Sequence, residues 1–448
     1  MANVKIETAL DENKMLFNSG DFEVTMDMGK LIDDDKDGVQ FRGMVSLNDL
    51  YSNFTMTQSV FEPYMTLTIH ITESKLIFER FGTRGLQGEE FVKIKFNTPT
   101  KHIVENIFYV TGYSPIKKDS HELSTGLVLK CVSKEKLIND QMTVNQSFEG
   151  TTSDVAKNIF NNFIIGSEKF KQMKAAEGWK EKPIVVDESI GIQKFTIPGL
   201  TPFAALHFLA IRSFGGSLYP SSFFTFFEAE DAFYFKNVEN WNDSIRFQEY
   251  TYDSELGTLP AHHKEFYNNI RFISPLTMRN TMDGIHGGEF ASKVTAIDFN
   301  KKSFDINEFN LMKERDDFNV LSNQFHMSSA FFDMFGSDAP ESTIVVDSTK
   351  GTFNENMPSI LGRRKAYKQM LGHYTLGIVI HGDTSMVAGT VINIQLKEAG
   401  APEKKQRGSM YSGNWYVTKV EHIVDNNVHN TRLTVVKDGL EFTHSEVG

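Results

Sequence analysis

The chain has 448 residues, 46 Lys and Arg against 58 Asp and Glu, a formal net charge of −12, and 40% hydrophobic and 23% charged residues. That is more than one ordinary hydrophobic core holds, so roughly two to four domains are expected, and the composition is that of a folded protein. The acidic balance argues against the phosphate backbone as the main source of affinity, which needs clustered Lys and Arg. It also gives solubility.

Residues 1–20 carry charges throughout and no apolar run, so no secretory signal is expected. No stretch approaches the length of apolar sequence that a membrane helix needs. The next hundred residues read as strands. Phe22–Met26 alternates, Gln40–Val45 follows an acidic turn, and Leu67, Ile69 and Ile71 share one face of Thr66–Thr72. Phe91–Phe96, Phe108–Thr111 and Leu127–Val132 continue the series, with turn signals between, as in a sandwich or barrel. The step from Phe91 to Ile94 breaks the alternation and predicts a bulge. Leu47–Phe61 fits neither helix nor strand.

The pattern changes near Ser133. Lys134–Asp140 predicts a short helix. Ser153–Ile164 predicts a stronger one, with Thr152 or Ser153 as cap, Asp154 at the positive end of the dipole, and Val155, Ile159 and Phe163 on one face. Glu168–Lys182 is a charged segment. Thr201 as cap and Pro202 at the first helical position start a largely apolar helix that Gly215–Gly216 ends. A hairpin follows, Phe223–Ala229 with Ala232–Lys236. Tyr267–Phe272 and Gly287–Asp298 are strand expectations, Lys313–Ser342 is polar and sparse in pattern, and Ser359–Leu371 predicts a helix.

The last seventy residues read as four antiparallel strands, Leu376–Ile380, Thr390–Leu396, Trp415–Ile423 and Thr431–Lys437. Trp415, Val417 and Ile423 are expected on one buried face. A polar flap, Lys397–Asn414, carries Lys404, Lys405 and Arg407, and a turn lies at Asp425–Asn427.

Candidate chemistry is sparse. Asp33, Asp35, Asp37 and Gly38 have the offsets of a calcium loop, but Met44 stands where the bidentate carboxylate is needed, so a solvated turn is expected. The lone Cys131 excludes an intrachain disulfide and a cysteine zinc site, and its strand context predicts a small core residue. His262 and His263 are adjacent and share no face. His373, His381, His422 and His429 lack ligand spacing, and no HExxH, GxGxxG, phosphate loop or GxSxG occurs. Glu228, Glu230 and Asp231 are expected to be solvated at a hairpin tip rather than to face each other across a cleft. No catalytic, cofactor-binding or metal residue is assigned, and synthesis in a reducing cytoplasm fits these features.

Three stretches carry a resemblance. They are Gln146–Phe160, Ile197–Arg212 with Phe226–Glu228 and Phe233–Phe235, and Gly382–Thr384 with Ala388–Ile392 and Gly413–His422. In that order the chain resembles the baseplate hub proteins of contractile-tailed phages, the trimeric ring that joins tail tube to central spike. The resemblance implies a β-rich α+β chain with two small antiparallel β-barrel modules and an α/β middle domain. The first module would be 1–132, completed by strands from about 265–310, the middle domain 133–264, a linker or mobile segment 311–358, and the second module 359–448. It implies no enzymatic activity and a homotrimer placing six barrels in a pseudo-sixfold ring, located in the virion baseplate. Implied partners are the tail tube or a tube-initiating protein, the central spike, other baseplate subunits, and DNA only in passage through the lumen, with no membrane insertion. The two modules are expected to superpose, because a sixfold tube met by three chains needs two equivalent docking surfaces per chain. The flap is expected to dock an acidic partner. Competing readings are the hub portion of another contractile injection machine, marked by a spike β-helix, a carbohydrate-active β-protein, marked by converging carboxylates, and a receptor-binding tail component, marked by repeats.

Overall fold

The structure is a computed structural model that describes residues 22–34, 38–72, 86–98, 102–115, 126–174, 181–215, 221–240, 244–252, 264–314, 318–322, 324–325, 334, 341–346, 357–396, 410–425 and 428–440. The N-terminal strands are β1 (Glu23–Asp34), β2 (Gly38–Ser46), β3 (Tyr51–Ser59), β4 (Thr66–Ile71), β5 (Glu90–Asn97), β6 (Ile103–Pro115) and β7 (Leu127–Ser133). Helix α1 (Lys134–Asn139), β8 (Val144–Gly150), α2 (Thr152–Ile159) with a π-helical turn at Phe160–Ile165, α3 (Glu168–Lys174), β9 (Ile184–Val186), β10 (Gln193–Leu200), α4 (Pro202–Arg212), β11 (Phe224–Glu228) and β12 (Phe233–Asn237) follow. Next come β13 (Ile245–Thr251), α5 (Lys264–Tyr267), β14 (Ile270–Ile273), β15 (Thr277–Met278), α6 (Thr281–Gly287), β16 (Ala291–Asp298), β17 (Ser303–Asn310), β18 (Gln324–Phe325) and β19 (Glu341–Val346). The C-terminal elements are α7 (Met357–Leu371), β20 (Tyr374–His381), β21 (Val391–Gln395), β22 (Gly413–Asp425), β23 (Val428–Lys437) and β24 (Gly439–Leu440).

Fourteen strands form one sheet, with the order β14-β20-β23-β22-β3-β4-β7-β6-β5-β1-β2 and β15, β21 and β13 branching from it. The expected N- and C-terminal β-modules are therefore one hydrogen-bonded body, joined where β3 runs antiparallel to β22 from Asn53↔Asp425 to Ser59↔Lys419. Among the described residues no sheet closes on itself, so the barrel expectation is met only as a β-rich, largely antiparallel architecture. Strands from 265–310 do not complete the first module. β14 and β15 pair with β20 of the C-terminal set, and β16 and β17 form a separate three-stranded sheet with β19.

β3, which the sequence left unassigned, is a strand because Phe54, Met56 and Gln58 alternate into the interior. Gln58 is buried without penalty because its amide donates to the Met386 carbonyl (3.1 Å) and accepts from the Ala388 N–H (3.4 Å). No bulge lies at Phe91–Ile94, since β5 keeps continuous register with β1 and β6. The alternation breaks because the start of β5, Glu90–Val92, is buried on both faces. Val92, Ile94 and Phe96 enter the N-terminal core with Leu67 and Ile69, while Phe91 packs with Ile107 against the helical region. Register shifts lie instead between Met28 and Lys30, between Tyr51 and Asn53 and between Val110 and Gly112, and a further one lies in β22, between Val417 and Lys419. It reverses the parity of the strand, so Trp415 and Val417 are followed inside by Val420, His422 and Val424, and Ile423 lies on the opposite face with Lys419 and Glu421.

The middle region packs α2 and α4 around Phe224, Phe226, Phe233 and Phe235 of the β11–β12 hairpin, which β9 extends in parallel. Thr151, one residue before the expected cap, accepts from the Asp154 N–H at 3.1 Å. Pro202 opens α4 as expected, while Thr201 makes no side-chain cap and the helix stops at Arg212. The segment 311–358 is not simply a linker. Leu311, Phe318 and Leu321 join the C-terminal core, β19 pairs with β16, and the Leu321 and Ser322 N–H groups donate to the Asp438 carboxylate at 2.6 and 3.0 Å.

Candidate functional site

The carboxylates at the β11–β12 hairpin are not solvated as a set. Glu228 is fully buried and meets the Lys182 ammonium at 2.6 Å, while its other oxygen accepts from the Met65 N–H at 2.9 Å. Burial alone would lower the Lys182 pKa, but Glu228, with Glu135 and Glu230 behind it, holds it above the ordinary value. Glu230 is also buried and lies 2.7 Å from His102 Nε2, and Asp231 is exposed and accepts from the Tyr234 hydroxyl at 2.6 Å. These groups tie the hairpin to the N-terminal strands through Met65 and His102, and each has a structural counter-group. They do not converge on an open cleft.

His381 and His373 are likewise placed in packing roles. The His381 ring lies against Phe266, with ring centroids 3.8 Å apart, and His373 approaches Glu289 at 4.0 Å. His422 and His429 meet, with His429 Nε2 and His422 Nδ1 3.3 Å apart. Among the described residues no group of three or more His, Cys, Asp or Glu side chains is placed to hold a metal ion. Cys131 is a core residue of β7, its thiol pKa pushed up by burial. His262 and His263, the centre of the Asp33–Gly38 turn, the flap from 397 to 409 and residues 426–427 lie outside the described residues.

Two features remain that fit assembly rather than chemistry. The first is the seam between the N-terminal strands and the C-terminal set. Beyond β3–β22 it includes the Thr98 and Thr384 hydroxyls at 2.7 Å and a Thr384 hydroxyl donated to the His102 carbonyl at 2.6 Å. The α7 helix anchors the middle region as well. The Arg364 guanidinium donates to the carbonyls of Ala210, Ser222 and Phe224 at 3.2, 2.9 and 3.0 Å. Its neighbour Arg363 stacks on Phe318, 4.0 Å from the ring centroid, and faces Glu239, whose carboxyl burial raises to about 6.

The second feature is the sheet β17-β16-β19. Its inner face packs on α7, where Gly362 lets the helix approach Ser292 and Phe309 so closely that a Cβ there would collide with both. Its outer face is open. Register places Phe304, Ile297 and Val345 in one row, Ile306, Thr295 and Thr343 in the next, and Glu308, Lys293 and Glu341 in a third. Phe304 is 68% exposed and Phe299, at the turn, 70%. Ile306 at 48% and Val345 at 56% continue this exposed apolar surface. The signal was in the sequence, since Phe304 and Ile306 alternate with Asp305 and Asn307 just after the turn residues that follow Asp298.

No protein-family model and no curated protein sequence matches this chain. Solved structures do. The tail protein from Neisseria meningitidis MC58 aligns over 94% of this chain and 98% of its own length, at 12% identity and a TM-score of 0.51. This chain shares that protein's fold. A 43 kDa tail protein of prophage MuSo2 from Shewanella oneidensis aligns over 94% of this chain and 99% of its own, at 9% identity and a TM-score of 0.48. A chain of the Francisella PdpA–VgrG complex aligns over 95% and 54%, at 7% identity and a TM-score of 0.47. Only the first exceeds 0.5, and it is the one from which the shared fold is read.

Proposed function

We propose that this chain is a non-enzymatic structural hub subunit of a phage baseplate, a ring component that joins the tail tube to the central spike and lets DNA pass. The observation that carries the reading is the near end-to-end match to a tail-protein fold, covering 94% of this chain and 98% of the other. The pairing of β3 with β22 supports it, because it fuses the two ends of the chain into one sheet that can present two strand sets side by side. In this reading the N-terminal strands β1–β7 and the C-terminal strands β20–β23 are the two docking modules of similar topology. Three chains then present six such modules.

The partners follow as a second copy of the chain, the tail tube or a tube-initiating protein, the spike and neighbouring baseplate subunits. The exposed row of Phe304, Ile297 and Val345 supports a role inside a larger body, where such a surface is covered. The acidic charge suits a lumen through which nucleic acid slides without sticking. Mass measurement in solution tests the reading. A particle three times the 50.8 kDa chain mass is expected, alone or with spike protein present. A monomer in both conditions at tens of micromolar removes the ring, and failure of residues 23–133 to superpose on 374–440 removes the two-module argument.

A further inference from the structure

The His422–His429 pair sits where the two ends of the chain meet, and no packing role requires two imidazoles there. Both side chains are buried, at 0 and 2% exposure. They share one contact, 3.3 Å between His429 Nε2 and His422 Nδ1. Their outer nitrogens, His422 Nε2 and His429 Nδ1, have no hydrogen-bond partner among the described residues. The His429 ring lies edge-on to Phe96 of β5, centroids 4.6 Å apart, and also contacts Phe22. Above it the chain passes at Gly382, where any Cβ would strike the ring. The Asp383 N–H donates to the Thr431 hydroxyl of β23, and Thr384 fastens the seam through Thr98 and the His102 carbonyl. A charge placed on this pair would thus appear between Phe96 and Gly382, on side chains removed from solvent.

We propose that the His422–His429 pair is an acid-sensitive clasp, whose protonation releases the Gly382–Thr384 loop from Thr98 and Phe96 while the rest of the sheet stays folded. The charged and titratable groups facing His422 are Asp383 from the β20–β21 loop, Glu230 from the β11–β12 hairpin and His102 from the segment before β6; His429 faces His422. Burial keeps both imidazoles neutral near neutrality, and the carboxylates of Asp383 and Glu230 oppose this for His422, which makes it the first to take a proton, at about 4. Two adjacent cations then share an apolar site and repel, and the contact between the rings loses its acceptor. His102 works in the other direction. Its bond to Glu230 strengthens when it is protonated, so the neighbouring link stays closed while the loop opens.

The test uses the full chain with Thr98→Cys, and the native Cys131 as an internal reporter of the intact core. Labelling by 4,4′-dithiodipyridine, which reacts in acid, is followed at each cysteine by peptide mass and normalised to the urea-unfolded chain at the same pH. Between about pH 7.5 and about pH 3.5 the normalised rate at position 98 is expected to rise about tenfold or more while Cys131 stays protected, as expected for local rather than global opening. The same substitution combined with His422→Gln and His429→Gln is expected to remove the rise. A flat rate at position 98, a parallel rise at Cys131, or an undiminished rise in the triple variant each overturns the proposal. Should the triple variant not fold, 13C-histidine spectra of the unsubstituted chain decide. Two imidazoles that leave the neutral form together with the labelling rise support the clasp, and opening while both remain neutral overturns it.

Discussion

In the fourteen-stranded sheet, Phe54, Phe96, Trp415 and Val417 are all but removed from water; in the three-stranded sheet β17-β16-β19, Phe304 and Ile306 stand in solvent beside Glu308 and Lys293. Both regions are built from the same alternating pattern. What differs is what lies over each face. The strands of the large sheet enclose their apolar residues in shared cores, whereas among the described residues the small sheet packs against α7 on its inner side. An apolar side chain in the first is a stability element. The same side chain in the second contributes little to the fold of this chain.

The largest effect is expected where the enclosed charges are paired. Lys182→Met leaves the Glu228 carboxylate buried without its cation and is expected to cost about 3–5 kcal/mol, read as a lower denaturant midpoint. Adding Glu228→Gln, which keeps an acceptor for the Met65 N–H, is expected to recover part of this. If Lys182→Met is neutral, the buried pair is not what separates the two regions.

A second test is pH. His422 is held neutral by burial, its pKa lowered from 6.5 to about 4. The unfolded chain takes up the proton first as pH falls, so stability contributed by this residue is present above 6.5, lost progressively between 6.5 and about 4, and constant below. The loss across that window is about 3 kcal/mol for this residue. It should appear as a falling urea midpoint in the unsubstituted chain and a shallower fall in His422→Gln. A smaller effect tests the middle region. Thr151→Ala removes the cap of α2 and is expected to cost about 1 kcal/mol, measured by the same denaturation. The smallest stability effect belongs to the outer sheet, where Phe304→Ser is expected to shift unfolding by less than about 0.5 kcal/mol yet weaken association detected by sedimentation. A loss of stability there as large as at Lys182 would erase the contrast.

Elements with their own local punctuation were legible in the sequence. Pro202 after Thr201 announced α4, the Glu230–Asp231 tip announced the β11–β12 hairpin, and the alternation of Leu67, Ile69 and Ile71 announced β4. The joining strand β3 was not, because one of its inward positions is Gln58, polar in sequence and satisfied only by the backbone of Met386 and Ala388 far along the chain. His422 was hidden for a related reason. Counting by twos from Trp415 puts it outside, and only the one-residue bulge before Lys419 turns it inward. Lys182 read as part of a charged run because nothing local shows that Glu228 awaits it. In each case the deciding partner is distant, and single-sequence periodicity carries no information about it.

The pairing of β3 with β22 has a consequence for biosynthesis. The contacts around it link residues as far apart as Gln58 and Met386, a separation of 328 positions. On a ribosome adding about 5–20 residues per second, the edge of β3 waits roughly 20–70 s for its partner strand. During that interval a half-built sheet displays an unpaired edge able to capture another nascent chain. Closing so long a loop is also slow in refolding from denaturant, since the entropy of closure must be met before the contacts form. The strand that unites the two ends of the molecule therefore sets the interval over which a newly made chain needs protection from its siblings.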